Sequence, residues 1–278
     1  MASGASQAAA TATDAVRSTG RWDPAQYARF GDHRLRPALE LLARAELAAG
    51  GTVPTLTYDL GCGAGEIARL MAERWPEAIV IGSDFSPEML QKAAATPSRV
   101  RWEEADVCTW TPPQAPDLIF SNAMLQWVEG HDVIFPRLAG MLKPGGVLAV
   151  QIPLSWDEPS HRAMRTVLAD LGLGTDSLRE TLARKWVADP DYYYDLLRPL
   201  VRDLDIWVTR YMQVLQGDDP VLEFVRSTGL RPVLTGLGDA ERERFLAEYR
   251  RRLDEAYPKR AGRETLYPFP RLFIVARV

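Results

Sequence analysis

An α/β protein built on a Rossmann-like, mostly parallel sheet of seven strands is predicted by three features of the sequence. Between residues 53 and 152, short β-rich runs alternate with helical patterns, the arrangement of βαβ units. The first run leads into Tyr58-Asp59-Leu60-Gly61-Cys62-Gly63-Ala64-Gly65, a turn almost stripped of side chains. Two further β-rich runs, Leu204–Leu215 and Arg271–Val278, come after a helical interruption and suit an antiparallel edge on a mixed sheet, with the antiparallel strand at the C-terminus.

In order, the first strand is expected at Leu56–Leu60 and the first helix at Glu66–Arg74. Ala78–Ser83 reads as a second strand ending at Asp84. Ser86-Pro87-Glu88 then starts a helix, with Ser86 as N-cap and Pro87 at its first position. Val100–Ala105 and Asp117–Ser121 are the third and fourth strands, ending at Asp106 and Asn122. A helix over Val133–Leu142 stops at Lys143-Pro144-Gly145-Gly146, which turns into the strand Val147–Ile152. After Pro153 the alternation fails, and 155–200 reads as a helical insertion or lid over the site. Asp219-Pro220 caps a short helix that ends at Gly229, and Asp239 caps a longer one whose Phe245, Leu246, Tyr249 and Leu253 share a face. Residues 1–20, rich in Ala, Ser and Thr, are expected to be a disordered tail, and 21–278 a single domain.

Composition narrows the function. A net charge of −4 offers no general attraction to nucleic acid, and Arg250-Arg251-Arg252 is surrounded by acidic residues, as on a solvated helix face. No apolar run is long enough to span a membrane, and the N-terminus lacks a secretory signal. The two cysteines have no C-x-x-C spacing, which fits a reducing, cytoplasmic setting, and the three scattered histidines predict no metal site. Oligomeric state is not legible here.

The glycine turn separates two cofactor classes. A dinucleotide loop wants G-x-G-x-x-G/A, whose last small residue would fall where this chain has Glu66. Glutamate there argues against an NAD-dependent oxidoreductase and for a ligand without phosphates, such as S-adenosylmethionine (SAM). Ligands of open α/β sheets bind beyond the carboxyl ends of the strands. Those ends carry the loop from Asp59 through Gly61, Gly63 and Gly65, then Asp84, Asp106 and Asn122. Asp84 is placed to accept ribose hydroxyls, Asp106 an adenine amino group, and the Val107 backbone to serve the ring nitrogen. Phe85 and Met89 would flank the base, and Gln126 follows the fourth strand near the methyl donor. Each aspartate has a plainer alternative as a turn former or helix cap.

At this point the chain resembles the class I SAM-dependent methyltransferases, through Asp59–Gly65, Gly82-Ser83-Asp84 and Lys143-Pro144-Gly145-Gly146. Further stretches are similar to the trans-aconitate 2-methyltransferase family: Trp22-Asp23-Pro24 with Tyr27 and Phe30, Arg36-Pro37, Leu125-Gln126-Trp127, Glu158-Pro159-Ser160-His161, Gly229-Leu230-Arg231-Pro232, and Phe269 through Arg277. The resemblance spans roughly 22–278. It implies methyl transfer to a carboxylate oxygen of a small polycarboxylate, without a catalytic acid, base or metal. A polyanionic substrate calls for arginines, because a guanidinium matches a carboxylate bidentately. The candidates are Arg34, Arg36, Arg231 and Arg271, with His161 and one of Tyr192–Tyr194 as further donors and Trp127 as a pocket wall or core residue. Rival readings are another carboxylate acceptor, such as an acyl-carrier-bound malonyl group or a natural-product acid, and a non-catalytic SAM-binding scaffold.

Overall fold

The structure, a computed structural model, describes residues 35–226 and 229–278. The expected tail, Trp22-Asp23-Pro24, Tyr27, Phe30 and Arg34 lie outside these residues.

Helix α1 (Leu35–Ala48) precedes β1 (Leu56–Leu60), α2 (Glu66–Arg74), β2 (Ile79–Asp84), α3 (Pro87–Ala94) and β3 (Arg101–Glu104). Then come β4 (Leu118–Asn122), α4 (His131–Gly140), β5 (Val147–Pro153), α5 (Pro159–Asp170), α6 (Asp176–Ala183) and α7 (Pro190–Leu197). The chain continues through β6 (Asp203–Leu215), α8 (Pro220–Arg226), α9 (Arg231–Gly236), α10 (Asp239–Ala256) and β7 (Thr265–Arg277). The strands form one seven-stranded sheet in the order β3-β2-β1-β4-β5-β7-β6. Strands β1 to β5 pair in parallel, while β7 is antiparallel to both of its neighbours, β5 and β6.

Every residue of β1 is buried, which is why its sequence reads as a short unbroken core strand. Tyr58 and Ile119 face a layer containing Phe135 of α4 and Tyr193 of α7. Phe120 and Phe273 face the opposite layer, with Leu41 of α1 and Met71 of α2. A third cluster forms a helical lobe from α5, α6, α8, α9 and α10, and the start of β7 supplies Tyr267 and Phe269 to it.

Two expectations change. The two late strands form the antiparallel edge pair as expected, with the C-terminal strand between β5 and β6, but that strand starts at Thr265 rather than Arg271. Its early residues hold Pro268 and Pro270, yet no hydrogen bond to β6 is lost. Residues 265–270 pair with β6 alone, and the Pro270 carbonyl accepts from the Leu154 N–H on the opposite side. The ring nitrogens at 268 and 270 therefore point away from β6, where a missing N–H is tolerated. The second change concerns 155–200, which packing divides. Helices α5 and α6 join the lobe, whereas Val187, Tyr193 and Leu197 pack on the sheet beside α4.

His131 pins that second part. Its Nε2 lies 2.9 Å from the Leu125 carbonyl and its Nδ1 lies 2.6 Å from the Tyr193 hydroxyl. A carbonyl only accepts, so Nε2 carries the proton, Nδ1 accepts from Tyr193, and the same hydroxyl accepts from the Ala188 N–H at 3.2 Å. Tyr193 is thus buried structure rather than a substrate donor, and neither Tyr192 nor Tyr194 lines the cavity described below. Tyr193→Phe leaves the imidazole nitrogen and the Ala188 N–H without this partner. The expected loss is about 1–3 kcal/mol of stability, read from the shift in urea midpoint at constant slope.

Candidate active site

The turn after β1 is tied to the end of β2. The N–H groups of Gly61 and Cys62 donate to the Ser83 carbonyl at 2.8 and 3.0 Å, and Gly63 N–H donates to the Asp84 carboxylate at 2.8 Å. The other Asp84 oxygen accepts from Ser86 N–H at 2.9 Å, and the Ser86 hydroxyl caps α3 at Met89. All three glycines have positive φ, but for different surroundings. A Cβ at Gly61 would fall 2.2 Å from Met124 Cγ, and one at Gly65 would fall 2.3 Å from the Trp102 ring. A Cβ at Gly63 would meet nothing within 4 Å. Gly61 and Gly65 are small because protein presses on them, whereas Gly63 opens on space.

That space is a cavity of about 990 Å³ running from the glycine turn to the helical lobe. At the turn it is lined by Asp59, Gly61, Gly63, Asn122 and Gln126, and Trp127 stands at the rim, 55% exposed. Asn122 Oδ1 and Gln126 Oε1 are buried acceptors with no hydrogen-bond donor among the described residues. Beside them Ala123 takes a φ of 56°, a backbone conformation strained for a residue with a side chain. Burial pushes the Asp59 carboxyl up to about 7 against the opposing Ala68 N–H, and the charge of Asp84 raises it further. Burial, then Asp59 and Asp84, likewise raise the Cys62 thiol, which stays protonated and is a poor nucleophile.

The far end is lined by donors. Trp156 Nε1, Trp186 Nε1 and the Ser155 hydroxyl are buried without partners among the described residues. Five cationic side chains surround them: Arg165, Arg184, Lys185, Arg210 and Arg271. Arg271 is buried, donates to Gln151 Oε1 at 2.8 Å, and its guanidinium lies 4.5 Å from the Phe269 ring centre. His161 also lines the cavity. Burial and then Arg165 lower its imidazole to about 4, so it is neutral at pH 7. The backbone at Gly229 covers its ring, since a Cβ there would lie 2.7 Å from Nε2.

Of the candidate residues, Asp59, Gly61, Gly63, Asn122, Gln126, Trp127, His161 and Arg271 line this one cavity. Gly65, Asp84, Phe85, Met89, Asp106 and Val107 do not line it. Phe85 is 73% and Met89 37% exposed beyond the β2 end, Asp106 accepts from Cys108 N–H at 2.9 Å, and the Val107 carbonyl takes an Arg137 donor. Arg36 is exposed, paired with Glu40 at 2.8 Å and poised over the Tyr211 ring, outside the lining. Arg231 is exposed at the first position of α9, also outside the lining. Lys92, and more weakly Arg231, hold the Glu88 carboxyl on α3 below the usual carboxylate range. The proline beside Arg231 marks a helix start and not a pocket wall. Sequence reasoning missed Trp156, Arg165, Trp186 and Arg210. The available signal was the i, i+4 spacing of His161 and Arg165, which puts both on one face of α5.

The fold and the glycine turn define a class I SAM-dependent methyltransferase, and residues 58–146 match the family model described as a methyltransferase domain. The chain is 47% identical to a trans-aconitate 2-methyltransferase of Methylobacterium radiotolerans over 92% of this chain and 98% of that one. Against the same-named protein of Streptomyces avermitilis it is 50% identical, over 92% and 96%. The chain belongs to the trans-aconitate 2-methyltransferase family. Solved structures share the fold at low identity. The YcgJ protein of Bacillus subtilis has a TM-score of 0.55 at 14% identity, covering 86% of this chain and 98% of that one. The plantazolicin methyltransferase BpumL has a TM-score of 0.50 at 12%, covering 92% and 90%.

The residues at the turn fit SAM. The donorless acceptors Asn122 and Gln126 and the buried Asp59 suit a cationic ligand, and Gly63 leaves its near side open. Gly63→Val is expected to fold, at a modest cost for its positive φ, and to lose SAM binding. Gly61→Ala should instead lose stability through the Met124 contact. Calorimetric titration with SAM and thermal melts of both variants check this division. Normal SAM affinity in Gly63→Val would mean that the turn does not meet the ligand.

Proposed function

We propose that this enzyme transfers the methyl group of SAM to a carboxylate of a small polycarboxylic acid, trans-aconitate or a close relative, giving the monomethyl ester. One observation carries the reading: a single cavity joins an acceptor-rich end at the glycine turn to a cationic, donor-rich end in the lobe. The names of relatives matched over 92% of the chain point to the same acid.

SAM supplies, when bound, an electrophilic methyl carbon on a positively charged sulfur. In this reading Asp84 accepts the ribose hydroxyls with the lone pairs left over from Gly63 and Ser86. Asp106 and the Val107 backbone receive the base between Phe85 and Met89, while Asn122 and Gln126 take the ammonium group. The acid arrives ionised, since a carboxylic acid has a pKa of ~4, so no residue has to remove a proton. SAM held there would supply its methyl group to a carboxylate oxygen and leave as the neutral thioether, while the residues named above would hold the two reactants. The Cys62 thiol, kept protonated by burial, contributes no nucleophile to this step. The protein's part is alignment, which is worth up to roughly 7–11 kcal/mol when two reactants are held in line. Arg271, fixed by Gln151 and Phe269, holds a carboxylate that does not react. The reading places the enzyme in the cytoplasm with a small molecule as its partner. Among the described residues no helix is long and apolar enough to cross a membrane.

Methyl transfer to a panel of polycarboxylates, with esters identified by mass spectrometry, tests the function. Preference for trans-aconitate supports it, and turnover only of an acyl-carrier-bound malonyl group would overturn it. Arg271→Ala should raise KM strongly and also lower kcat, because alignment goes with affinity. Arg271→Lys should recover only part, since the bidentate fork is gone.

Asp59 adds a pH dependence. Its carboxyl is neutral below about 7 and charged above it in the ligand-free protein. A cation binds the charged form better, so SAM affinity should rise from pH 6 to pH 8, and Asp59→Asn should flatten that rise. The folding contribution has the opposite sign. With the folded pKa raised from 3.8, the folded state holds the proton more tightly than the unfolded chain, and this stabilisation is lost as pH climbs toward 7.

A further inference from the structure

We propose that Arg165, stacked on the indole of Trp156, holds one particular carboxylate of the substrate that is not methylated, and so discriminates a tricarboxylate from smaller acids. This rests on the polycarboxylate reading above and names a second anchor beside Arg271.

The argument begins with which cations around the cavity already have an acid partner. Arg184 pairs with Glu129 at 2.7 Å, Lys185 with Asp189 at 3.0 Å and Asp157 at 3.4 Å, and Arg210 with Glu158 at 2.8 Å. Arg165 forms no ion pair within 4.0 Å among the described residues. Its guanidinium lies 3.8 Å from the Trp156 ring centre, close enough for a cation–π contact. Two of the five N–H donors of a guanidinium are engaged, with the His161 carbonyl at 3.3 Å and the Trp156 carbonyl at 2.9 Å. Stacking and these two bonds fix the plane of the group, and no described carboxylate lies within ion-pair distance of it, the charge of Asp157 acting only from farther away. The remaining donors have no hydrogen bond to a described residue. The Trp156 and Trp186 indole N–H groups line the same cavity and have no acceptor among the described residues. A fixed fork with no acid in contact, in a cavity that also holds two buried donors, matches the two oxygens of a carboxylate. A clip that merely joined α5 to the preceding turn would need neither the charge nor the neighbouring donors.

Three dicarboxylates each lack one carboxyl of trans-aconitate: glutaconate, itaconate and mesaconate. Binding of all four acids is measured by calorimetry on protein loaded with S-adenosylhomocysteine, for wild type, Arg165→Met and Arg165→Lys, alongside kcat and KM for trans-aconitate. Loss of a hydrogen bond to a charged group predicts that Arg165→Met weakens trans-aconitate binding by about tenfold or more. The same loss is expected for two of the dicarboxylates. The third, which lacks the group Arg165 holds, should bind wild type and variant alike. Arg165→Lys should restore part of the affinity, and SAM affinity should stay within about twofold of wild type. Unchanged affinities in Arg165→Met, or an equal loss for all four acids, would overturn the proposal and assign Arg165 to structure alone. Wild-type protein that binds trans-aconitate but never methylates it would sink the functional reading while leaving the arginine's role to the binding pattern.

Discussion

The ladder of β7 is the constraint on which the rest of the structure depends. This strand is hydrogen-bonded on both sides over 271–277 and on one side over 265–270. Its first half supplies Tyr267 and Phe269 to the helical lobe, and its second half supplies Phe273 and Val275 to the sheet core. One straight backbone therefore fixes the lobe relative to the glycine turn. Where the two halves meet sits Arg271, paired in register with Pro153 and Thr209. A slip of one residue would turn that guanidinium to the other face and put Leu272 where it now lies.

Charge is divided along the cavity in the same sense as the fold. Asp59 and the orphan oxygens of Asn122 and Gln126 lie at the β1 and β4 ends, and the arginines and indole N–H groups lie toward the lobe. Under the proposed function the two ends would complement a cationic and an anionic reactant. Burial is the main cause that raises the Asp59 carboxyl.

Much of this was legible in the sequence where local chemistry decides local structure. Leu56–Leu60 and Glu66–Arg74 form as read, because a short strand ended by the glycine turn and a helix that starts from Gly65 leave little choice of ends. Ser86 and Pro87 start α3 as their cap and ring chemistry require. What was not legible depends on distant partners. The first six residues of β7 lay outside the expected strand, which began at Arg271, and Pro268 and Pro270 fit a strand only where the side facing their ring nitrogens is known. The split of 155–200 rests on Tyr193 finding His131, 62 positions away in sequence. Arg36 and Arg231 were chosen for their neighbours in sequence, yet both side chains are exposed outside the cavity. Arg165 had no such local mark, since its significance lies in the Trp156 ring reaching it from the preceding turn.

The position of β7 also bears on how the molecule is made. It follows every other strand in the chain, yet it is an interior strand of the finished sheet. While a ribosome is still extending the chain, β5 and the thirteen-residue β6 each present a bare hydrogen-bonding edge with nothing between them. Such edges recruit other extended chains. The nascent protein is therefore most exposed to mispairing in the interval between completion of β6 and emergence of β7, about fifty residues later at roughly 5–20 residues per second. The helices α8, α9 and α10 are synthesised in that interval, and they pack with α5 and α6 in the finished lobe.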